Sequence, residues 1–447
     1  MSIQERVQSL RALVRLLTEA SEVVIKEWED EERCSPGDFD DIKDAYIPSP
    51  ALFDARRTVV GACGMCLDLV QDPRCRLMEV GVYYYVSRAM RIVCEAHIAD
   101  ILANAGPEGI SVEVISRKIG IDGQKLTRIL RCLCSIHIFI EVQPKRFANS
   151  HTSQFLRNDD LRCWILTHGL DIYTASDKLP AVLFNPDKTR STSPNDSAFH
   201  EAFGADFWTY MEQGEEQSDG TVKPRPALDI FARAMVGGGR VAAPPLYVDY
   251  PWSKLGAATV VDVGGGVGGL SLDLAKRYHS LKFVVEDRSA VIEKASAVWQ
   301  TELLDAVKNN RVRLLAHDFF AEQPIKGAEV YTMRYILHDW PDAECITILS
   351  QLRKAMGPNS RILSIDTMLN TTLGSPLLRS APPPLPANYG IEHQLTHSRD
   401  LNMLTLFNGM ERTPEDMCML AEKAGLKVVK VWECRSSLAI TEMRLPL

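Results

Sequence analysis

The first half of the chain carries apolar residues at helical spacing. In residues 1–33, five of them recur at alternating steps of four and three: Ile3, Val7, Leu10, Val14 and Leu17. The spacing predicts an amphipathic helix that packs on a partner subunit or folds back on its own domain. Turn-forming residues follow at Pro36-Gly37, Pro48 and Pro50, and they predict a linker.

The pattern of residues 78–153 predicts two helices followed by a hairpin. Ser111 and Asp122 stand where N-caps are expected, and each precedes apolar residues at helical spacing. Two short apolar, β-branched runs, 138–142 and 145–148, predict the hairpin. Helix, turn, helix and hairpin in this order are typical of a winged helix, whose second helix can read DNA. That second helix is rich in leucine, which favours packing over DNA binding.

Residues 154–250 predict further helices, and the pattern changes at Thr259. From there, apolar runs of β type alternate with segments of helical length. The predicted strands are Thr259–Val263, Phe283–Val285, Val312–Leu315, Val330–Tyr335 and Arg361–Ile365. Such alternation indicates a parallel, doubly wound α/β sheet covered by helices on both faces. A later proline-rich run, Ala381–Pro386, predicts an exposed loop within 372–398, either a lid or a plain insertion.

A glycine-rich turn follows the first strand of this sheet. Gly264, Gly266 and Gly269 satisfy a G-x-G-x-x-G pattern between that strand and a helix. Glycines allow positive φ and a close approach of the backbone to a ligand, and the helix start offers free N–H groups. The next strand ends at Glu286-Asp287, about 20 residues on, where a carboxylate can accept both hydroxyls of a ribose. These features predict a site for a nucleoside cofactor.

Two details favour S-adenosylmethionine over a dinucleotide. Asp262 lies in the first strand beside the turn, where its charge would repel a pyrophosphate and attract an amino group. The third strand is followed by Asp318, Phe319 and Phe320, which could hold an adenine by its N6 amine and its ring face. The alternative role for Asp318 is that of a helix cap.

A histidine follows the fourth strand. His338 lies just past the carboxyl end of that strand, at the sheet edge where α/β proteins form their ligand crevice. Imidazole is a suitable base at neutral pH, and a phenol, with a pKa of about 10, needs a base before it can attack a methyl group. The alternative role for His338 is to cap the following helix.

Composition narrows the class of protein. The chain has 447 residues, 46% of them hydrophobic, and a formal net charge of −8. This composition is typical of a globular protein with several domains, and it disfavours binding of nucleic acid through phosphate neutralisation. No uncharged apolar run reaches the roughly 20 residues of a membrane-spanning helix, and the N-terminus does not resemble a signal peptide. We therefore expect a cytoplasmic protein without membrane or nucleic-acid partners.

Cysteine usage agrees with that expectation. The eleven cysteines are odd in number and scattered along the chain, which indicates reduced thiols. Only Cys63 and Cys66 form a C-x-x-C pair, and neither a second pair nor a pair of histidines lies nearby in the sequence. We therefore expect no metal site.

Several motifs together resemble the caffeate/flavonoid-type class I O-methyltransferases, especially the fungal secondary-metabolite branch. They occur in the family's order: the Val-Asp-Val-Gly-Gly-Gly turn, Glu286-Asp287, His317–Phe320, Ile336–Trp340 and Gly409–Pro414. The resemblance covers about residues 78–447. It implies an S-adenosylmethionine-dependent enzyme with a Rossmann-like domain preceded by a mostly helical, winged-helix-like dimerisation domain. The expected divisions are an arm and linker, a dimerisation domain, a helical substrate-lining region and a methyltransferase domain, at 1–77, 78–153, 154–250 and 251–447.

The resemblance also implies roles for individual residues. His338 matches the catalytic base, and Asp366 and Glu411 match the two acids that hold its imidazole. Asp366 replaces a glutamate of the plant enzymes and is one methylene shorter. Phe319 stands where the family often has methionine, and Arg334 where many members have lysine. The expected cofactor-binding residues are Asp262, Gly264, Gly266, Asp287, Asp318, Phe319 and Arg334.

Residues for the acceptor come from two segments. Met403 matches a family residue that packs on the substrate ring, and it shares a segment with Phe407 and Asn408. In fungal relatives a region upstream closes over the acceptor, and there helical spacing would place three side chains on one face: Trp164, His168 and Asp171. For His168 the alternative is a core histidine. Further candidates, whose alternative is plain core, are Trp208, Phe231 and Met235.

The expected activity is methyl transfer to a hydroxyl, most simply a phenolic one, of a small aromatic or polyketide-type metabolite by a homodimeric enzyme. One alternative keeps the fold and the cofactor but catalyses a pericyclic reaction or a dehydration, with the bound cation acting electrostatically. The intact set of His338, Asp366 and Glu411 favours methyl transfer. A second alternative is a winged-helix regulator, which the net charge disfavours.

Overall fold

The computed structural model describes residues 1–34, 46–216 and 221–446. The predicted linker residues Pro36-Gly37 lie outside these ranges. Two long helices, α1 (Ile3–Cys34) and α2 (Pro50–Val70), form an N-terminal arm in which they pack on each other. Pro50 was expected in the linker but begins α2, a position where its missing N–H group is not needed. Within the described residues no helix is long and apolar enough to cross a membrane.

The next unit has the predicted order of helix, turn, helix and hairpin. Its helices are α3 (Pro73–Gly81), α4 (Tyr84–Glu95), α5 (Ile98–Ile101), α6 (Val112–Ile119) and α7 (Gly123–Cys134). Its strands are β1 (Ile110–Ser111), β2 (Phe139–Gln143) and β3 (Arg146–Asn149), paired antiparallel in the order β1-β3-β2. Asp122 caps α7 by accepting the N–H groups of Gln124 and Lys125 at 3.1 and 3.0 Å. Ser111 precedes α6 as predicted but belongs to β1, and its side chain makes no capping bond.

Helices dominate the middle of the chain. They are α8 (His151–Gln154), α9 (Asp159–Gly169), α10 (Asp171–Ser176), α11 (Leu179–Leu183), α12 (Ala198–Phe203), α13 (Phe207–Glu212), α14 (Pro226–Ala242) and α15 (Leu246–Asp249). A short antiparallel pair, β4 (Glu215–Glu216) and β5 (Val222–Lys223), interrupts the predicted helical pattern. The longest of these helices, α14, lies along α9.

The last unit is a seven-stranded sheet in the order β11-β12-β10-β9-β6-β7-β8. Its strands are β6 (Thr259–Val263), β7 (Lys282–Asp287), β8 (Val312–Ala316), β9 (Val330–Arg334), β10 (Arg361–Thr367), β11 (Lys427–Glu433) and β12 (Leu438–Arg444). The first five pair in parallel, as predicted, whereas β12 runs antiparallel to both β10 and β11. The associated helices are α16 (Gly269–Arg277), α17 (Ser289–Glu302), α18 (Leu304–Lys308), α19 (Asp342–Ala355), α20 (Gln394–Phe407) and α21 (Pro414–Lys423).

The sheet is buried on both faces, which makes it doubly wound. One core contains Trp252, Phe283 and Trp299, and the other contains Tyr331 and Ile348, all of them fully buried or nearly so. Strand β6 lies between β7 and β9, so the strand order reverses at its carboxyl end. Open α/β sheets bind their ligands at such a reversal.

The apolar stripe of α1 divides between two environments. Of its five residues, Leu10 and Leu17 are half-buried, whereas Ile3, Val7 and Val14 are exposed. Leu17 packs against a cluster that contains residues of α2 and the buried Leu13, a residue that the predicted stripe did not include. The helix therefore folds back on its own chain along part of the stripe. The remainder of the stripe faces away from the chain.

Residues 381–389 close over this arm. Ala381, Leu385 and Tyr389 are buried in one cluster with Leu13 of α1 and Ala62 of α2. The prediction of an exposed loop at Ala381–Pro386 is therefore wrong. The prolines do prevent a helix or a strand, but the apolar side chains between them cover the apolar side of the arm.

Polar contacts hold the same segment in place. The guanidinium of Arg57 in α2 lies 4.0 Å from the centroid of the Tyr389 ring and 3.2 Å from a carboxylate oxygen of Glu392. Arg379 pairs with the carboxylate of Asp54 at 3.0 Å. The arm is thus attached to the methyltransferase-like sheet unit through charge as well as through apolar burial.

Gly61 sets how closely this segment approaches α2. A Cβ at Gly61 would lie 2.5 Å from the carbonyl oxygen of Tyr389, a backbone atom that cannot move alone. Gly61→Ala should therefore lower the free energy of unfolding by about 1–3 kcal/mol, measured by urea denaturation. Gly81→Ala is the matched control, since nothing lies within 4 Å of its Cβ position. Equal effects of the two substitutions would contradict this packing.

Candidate active site

The glycine turn after β6 adopts a backbone that other residues rarely adopt. Gly264, Gly266 and Gly268 have φ values of +67°, +62° and +86°. A Cβ at Gly264 would lie 2.6 Å from Cδ1 of Ile336, so the turn is also closely packed. The N–H of Gly266 donates to Oδ2 of Asp287 at 2.8 Å, which fixes the carboxylate at the end of β7 beside the turn.

Buried acids lie beneath this turn. Asp262 is 1% exposed, and its Oδ2 accepts a hydrogen bond from the Ser271 hydroxyl at 2.6 Å. Burial raises the pKa of Asp262, while the Ser271 hydroxyl and the Arg334 guanidinium oppose that rise. Glu286 is also buried, and its Oε2 accepts from the Gln323 amide at 2.8 Å. Asp262 is therefore buried beneath the turn, whereas Asp287 lies at the rim of the turn.

Asp318 and Phe319 lie on the β8 side of the turn. Asp318 is exposed, and its Oδ1 accepts the N–H of Phe320 at 3.0 Å within a turn, so it does not cap a helix. The Phe319 ring lies 3.5 Å from the Cβ position of Gly264 and 6.0 Å, centroid to centroid, from Trp340. An aromatic ring thus borders the glycine turn, and the adenine site stays a prediction.

His338 lies in a short 3₁₀ turn, 337–339, directly after β9. Tyr335 leaves the strand with φ of +59°, a strained value for a tyrosine, and its ring stacks on that of His338 at 5.5 Å. Nδ1 of His338 lies 3.2 Å from Oε1 of Glu411, and Nε2 lies 3.5 Å from Oδ1 of Asp339. The imidazole is therefore buried between two carboxylates.

These carboxylates decide the charge of the imidazole. Burial alone would lower the pKa of His338, but Asp339 and Glu411 raise it to about 9. Burial also raises the pKa of Asp339 to about 6, against the opposing effect of His338. At neutral pH the arrangement therefore favours an imidazolium in the form of the protein described here.

Asp366 does not make the contact expected of it. Its Oδ2 accepts from the Ser364 hydroxyl at 2.6 Å, and its Oδ1 is buried without a hydrogen-bond partner in the described structure. A cavity of about 10 Å³ lies between Asp366, His338 and Glu411, room for about one water molecule. The contact expected between Glu411 and the imidazole is thus present, whereas Asp366 contacts Ser364 instead. The charge of Asp366 still helps to raise the pKa of His338, and the catalytic roles of both acids stay predictions.

Residues 409–412 hold the histidine turn from the other side. The N–H of Met410 donates to the His338 carbonyl at 3.0 Å, and the Arg412 guanidinium donates to the Trp340 carbonyl at 2.8 Å. A Cβ at Gly409 would lie 2.4 Å from the same His338 carbonyl oxygen. The sequence motif at 409–414 is therefore a structural support for His338 as well as the source of Glu411.

The predicted acceptor residues of the upstream segment do not share one face. Trp164 and His168 do lie together, with ring centroids 4.1 Å apart and Nδ1 of His168 2.8 Å from the Trp164 carbonyl. Asp171, however, begins a new helix, because α9 ends at Gly169 and the chain turns at Leu170. The interpretation of a continuous helix face is wrong for Asp171, whose carboxylate lies in the electrostatic field of Arg225 and Glu215 instead.

The downstream segment contributes an aromatic cluster. Phe407 lies 5.3 Å from Phe207 and stacks on Trp208 at 5.9 Å, and Met403 packs at the edge of the same cluster. Asn408 has φ of +52° at the end of α20, and its amide donates to the Ser193 carbonyl at 2.7 Å. Asn408 is thus a helix-ending residue with its side chain already bonded.

The aromatic cluster around Phe407 also contains Phe231, together with residues that the sequence did not single out: Phe199, Phe203 and Tyr210. The last candidate, Met235, is exposed.

Four residues of this region were missed by sequence reasoning. Tyr335 and Asp339 flank His338, and their adjacency in sequence was the available signal. Asp400 accepts the Glu411 N–H at 2.8 Å, and Arg399 lies 5.7 Å from the Tyr335 ring centroid. Contacts between α20 and the histidine turn depend on tertiary packing, so no local sequence pattern predicts them.

Among the described residues, no group of three or more His, Cys, Asp or Glu side chains is arranged to hold a metal ion. Cys63 is exposed and Cys66 half-buried, and both thiols are free. The chemistry of the region therefore rests on the imidazole, the carboxylates and the glycine turn.

Comparison with known proteins identifies the family to which the chain belongs. A family model of the O-methyltransferase domain matches residues 187–427, and one of the O-methyltransferase dimerisation domain matches residues 78–159. The chain belongs to the O-methyltransferase family. It is similar to O-methyltransferase gedA of Aspergillus terreus, with 40% identity over 99% of this chain and 97% of that protein. It is also similar to O-methyltransferase tpcA of Aspergillus fumigatus, with 39% identity over 96% and 95% of the two chains.

Solved structures of this fold agree with the match. CalO1, a methyltransferase in calicheamicin biosynthesis solved in its SAH-bound form, is 25% identical, covers 84% of this chain and 98% of its own, and has a TM-score of 0.64. LepI, solved in complex with SAM, is 19% identical over 96% of this chain and all of its own, with a TM-score of 0.69. At that identity LepI shows the fold alone.

This O-methyltransferase uses S-adenosylmethionine, and its residues fit the cofactor. The three left-handed glycines keep the turn free of side chains, and nothing lies within 4 Å of the Cβ position of Gly266. Asp287 lies at the rim of the turn, and the exposed Asp318 lies on its β8 side. The enzyme is related to fungal O-methyltransferases of secondary metabolism, and its residues 78–159 match a dimerisation domain of that family.

Proposed function

We propose that this enzyme methylates a phenolic hydroxyl of a small aromatic or polyketide-type metabolite, with His338 as the general base. The observation that carries the proposal is the His338 imidazole at the sheet edge, held at Nδ1 by Glu411, a few residues past the strand that borders the glycine turn. Trp164, His168, Met403 and the aromatic cluster around Phe407 would pack on the acceptor ring.

S-adenosylmethionine supplies an electrophilic methyl group when bound. The chain's own task is to align an acceptor oxygen and to remove its proton, because a neutral phenol is a weak nucleophile. Nε2 of His338 is the atom that would accept this proton, since Nδ1 is occupied by Glu411. Glu411 and Asp339 then stabilise the imidazolium that forms.

The pH profile should reveal this base. With a pKa of about 9, His338 is protonated at neutral pH and must lose its proton before it can accept one. We therefore expect kcat/KM, at saturating cofactor, to rise about tenfold per pH unit from pH 7 towards pH 9. Asp339→Asn removes a charge that raises the pKa, so the midpoint of the profile should move to lower pH.

Asp305→Asn, on the exposed face of α18, is the control for that experiment. It should leave the midpoint where the unmodified enzyme has it. A profile with no rise above pH 7, or one that Asp339→Asn does not move, would argue against His338 as the titrating base.

The activity itself is tested by following S-adenosylhomocysteine formation with a library of phenols and hydroxylated polyketides. Product formation with a phenol, and its absence with the corresponding methyl ether, would support the proposal. Conversion of an acceptor without consumption of the cofactor would instead favour the pericyclic or dehydrating alternative.

We also propose that the enzyme is a cytoplasmic homodimer. The match to a dimerisation domain supports the oligomer, and free thiols at cysteines from Cys63 to Cys434 are what a reducing compartment would give. Light scattering of the purified protein at several concentrations would measure the oligomer, and cell fractionation the compartment.

A further inference from the structure

Arg399 of α20 is a cation without a counter-charge. In the part of the chain that the structure describes, no carboxylate lies within 4.0 Å of its guanidinium, and it makes no hydrogen bond. Its neighbour Asp400 does not pair with it, because Oδ1 of Asp400 accepts the Glu411 N–H at 2.8 Å. The half-buried arginines of this protein more often have partners, as Arg435 has in Asp249 at 2.7 Å.

The position of Arg399 is next to the histidine turn. Its Cζ lies 5.7 Å from the centroid of the Tyr335 ring, on which the His338 imidazole stacks at 5.5 Å. The guanidinium of Arg334 lies near the same ring, 6.0 Å from its centroid. Arg399 also shares one face of α20 with the two acceptor candidates Met403 and Phe407, at positions i, i+4 and i+8. The guanidinium thus lies between the Tyr335 ring and the helix face that carries the acceptor candidates Met403 and Phe407, which we call the acceptor side.

The other groups on this side do not neutralise it. His168 is half-buried, and its desolvation together with the nearby charge of Arg399 lowers its pKa, so the imidazole is uncharged at neutral pH. The Tyr335 ring offers only a cation–π contact, which leaves the N–H donors of the guanidinium available. A planar set of N–H donors on the helix face that also carries Met403 and Phe407 matches a carboxylate in shape and charge.

We propose that Arg399 binds a carboxylate of the acceptor, so that the preferred substrates are hydroxyaryl carboxylic acids. The acidic group lies beside Tyr335 and Arg399, and the reacting hydroxyl lies at His338. This inference rests on the proposed function, because it assigns specificity to the acceptor side of the same site. It makes Arg399 a specificity-determining residue without a part in proton transfer.

The test compares phenolic acids with their methyl esters, which keep the ring and remove the charge. Probes are 4-hydroxybenzoate, 6-hydroxy-2-naphthoate and a hydroxyanthraquinone-2-carboxylate, each paired with its ester. Binding is measured by calorimetry on enzyme loaded with S-adenosylhomocysteine. For at least one pair we expect the acid to bind about 10- to 100-fold more tightly than the ester. Arg399→Met should abolish that preference, and Arg399→Lys should restore part of it.

The control is Arg128→Met, which removes an exposed arginine of α7 and should leave the preference unchanged. The proposal is overturned if no acid is preferred, if Arg399→Met weakens acid and ester equally, or if it weakens binding of S-adenosylmethionine instead. Acid preference that depends on Arg399 without any turnover would leave this inference standing and sink the methyl-transfer proposal. Turnover of phenols that Arg399→Met does not affect would support the methyl-transfer proposal and overturn the assignment of Arg399 to a carboxylate of the acceptor.

Discussion

Replacing His338 with alanine should lower kcat by about 10²–10⁴, the usual contribution of a positioned general base. The affinity for S-adenosylmethionine should stay within a few-fold of that of the unmodified enzyme, because the imidazole contacts Glu411, Asp339 and Tyr335 and none of the residues at the glycine turn. The measurements are initial rates of S-adenosylhomocysteine formation and calorimetric titration with the cofactor.

His279→Ala is a suitable control, since His279 is an exposed histidine just after α16. It should leave both kcat and cofactor affinity unchanged. Circular dichroism would confirm that the loss in His338→Ala is not a loss of fold. Full turnover of the true acceptor by His338→Ala would show that the proton leaves by another route.

Removing the Asp287 carboxylate should weaken the binding of S-adenosylmethionine and change kcat little, the opposite of the result expected for His338→Ala. Asp287→Ala deletes the acceptor of the Gly266 N–H and the carboxylate that the sequence motif predicts as the acceptor for the ribose hydroxyls of the cofactor. Because each charge-assisted hydrogen bond contributes about 1.5–3 kcal/mol, we expect the dissociation constant for S-adenosylmethionine to rise about 10²-fold or more. At saturating cofactor kcat should fall only a few-fold, because His338 and Glu411 are untouched.

Glu293→Ala, an exposed acid on α17, is the control for charge and should leave cofactor affinity unchanged. An unaltered dissociation constant in Asp287→Ala would mean that the ribose lies elsewhere. A fall in kcat as large as that of His338→Ala would mean that the turn and the base are not separable parts of the site.

The parallel part of the sheet could be predicted from sequence because its strands are short, apolar runs bounded by helical segments. Strand β6 begins and ends where the pattern placed it, at Thr259 and Val263. Strands β11 and β12 were not predicted. β11 lies at the sheet edge with lysines at positions 427 and 430, and β12 buries Thr441 and Glu442, so neither has a plain strand pattern.

The site was predictable where a local motif carries the geometry, and not where a tertiary contact does. The glycine turn and the Asp287 carboxylate beside it follow from a short motif with fixed spacing. The pairing of His338 with Glu411 joins residues 73 positions apart, and it was expected only because both motifs resemble those of the family. The prediction that Asp171 shares a helix face with Trp164 and His168 was wrong, because the helix breaks at Leu170 and the residues after the break point in another direction. Nothing in the local sequence shows that Asp366 meets Ser364 rather than the imidazole.

The attachment of the arm has a consequence for biosynthesis. Asp54 and its partner Arg379 are 325 positions apart, so the first helices leave the ribosome long before the segment that covers them exists. At about 5–20 residues per second, Leu13 waits for tens of seconds with only α2 against it. A chain interrupted before residue 381 would retain an uncovered apolar strip, which is a target for chaperones and a starting point for aggregation.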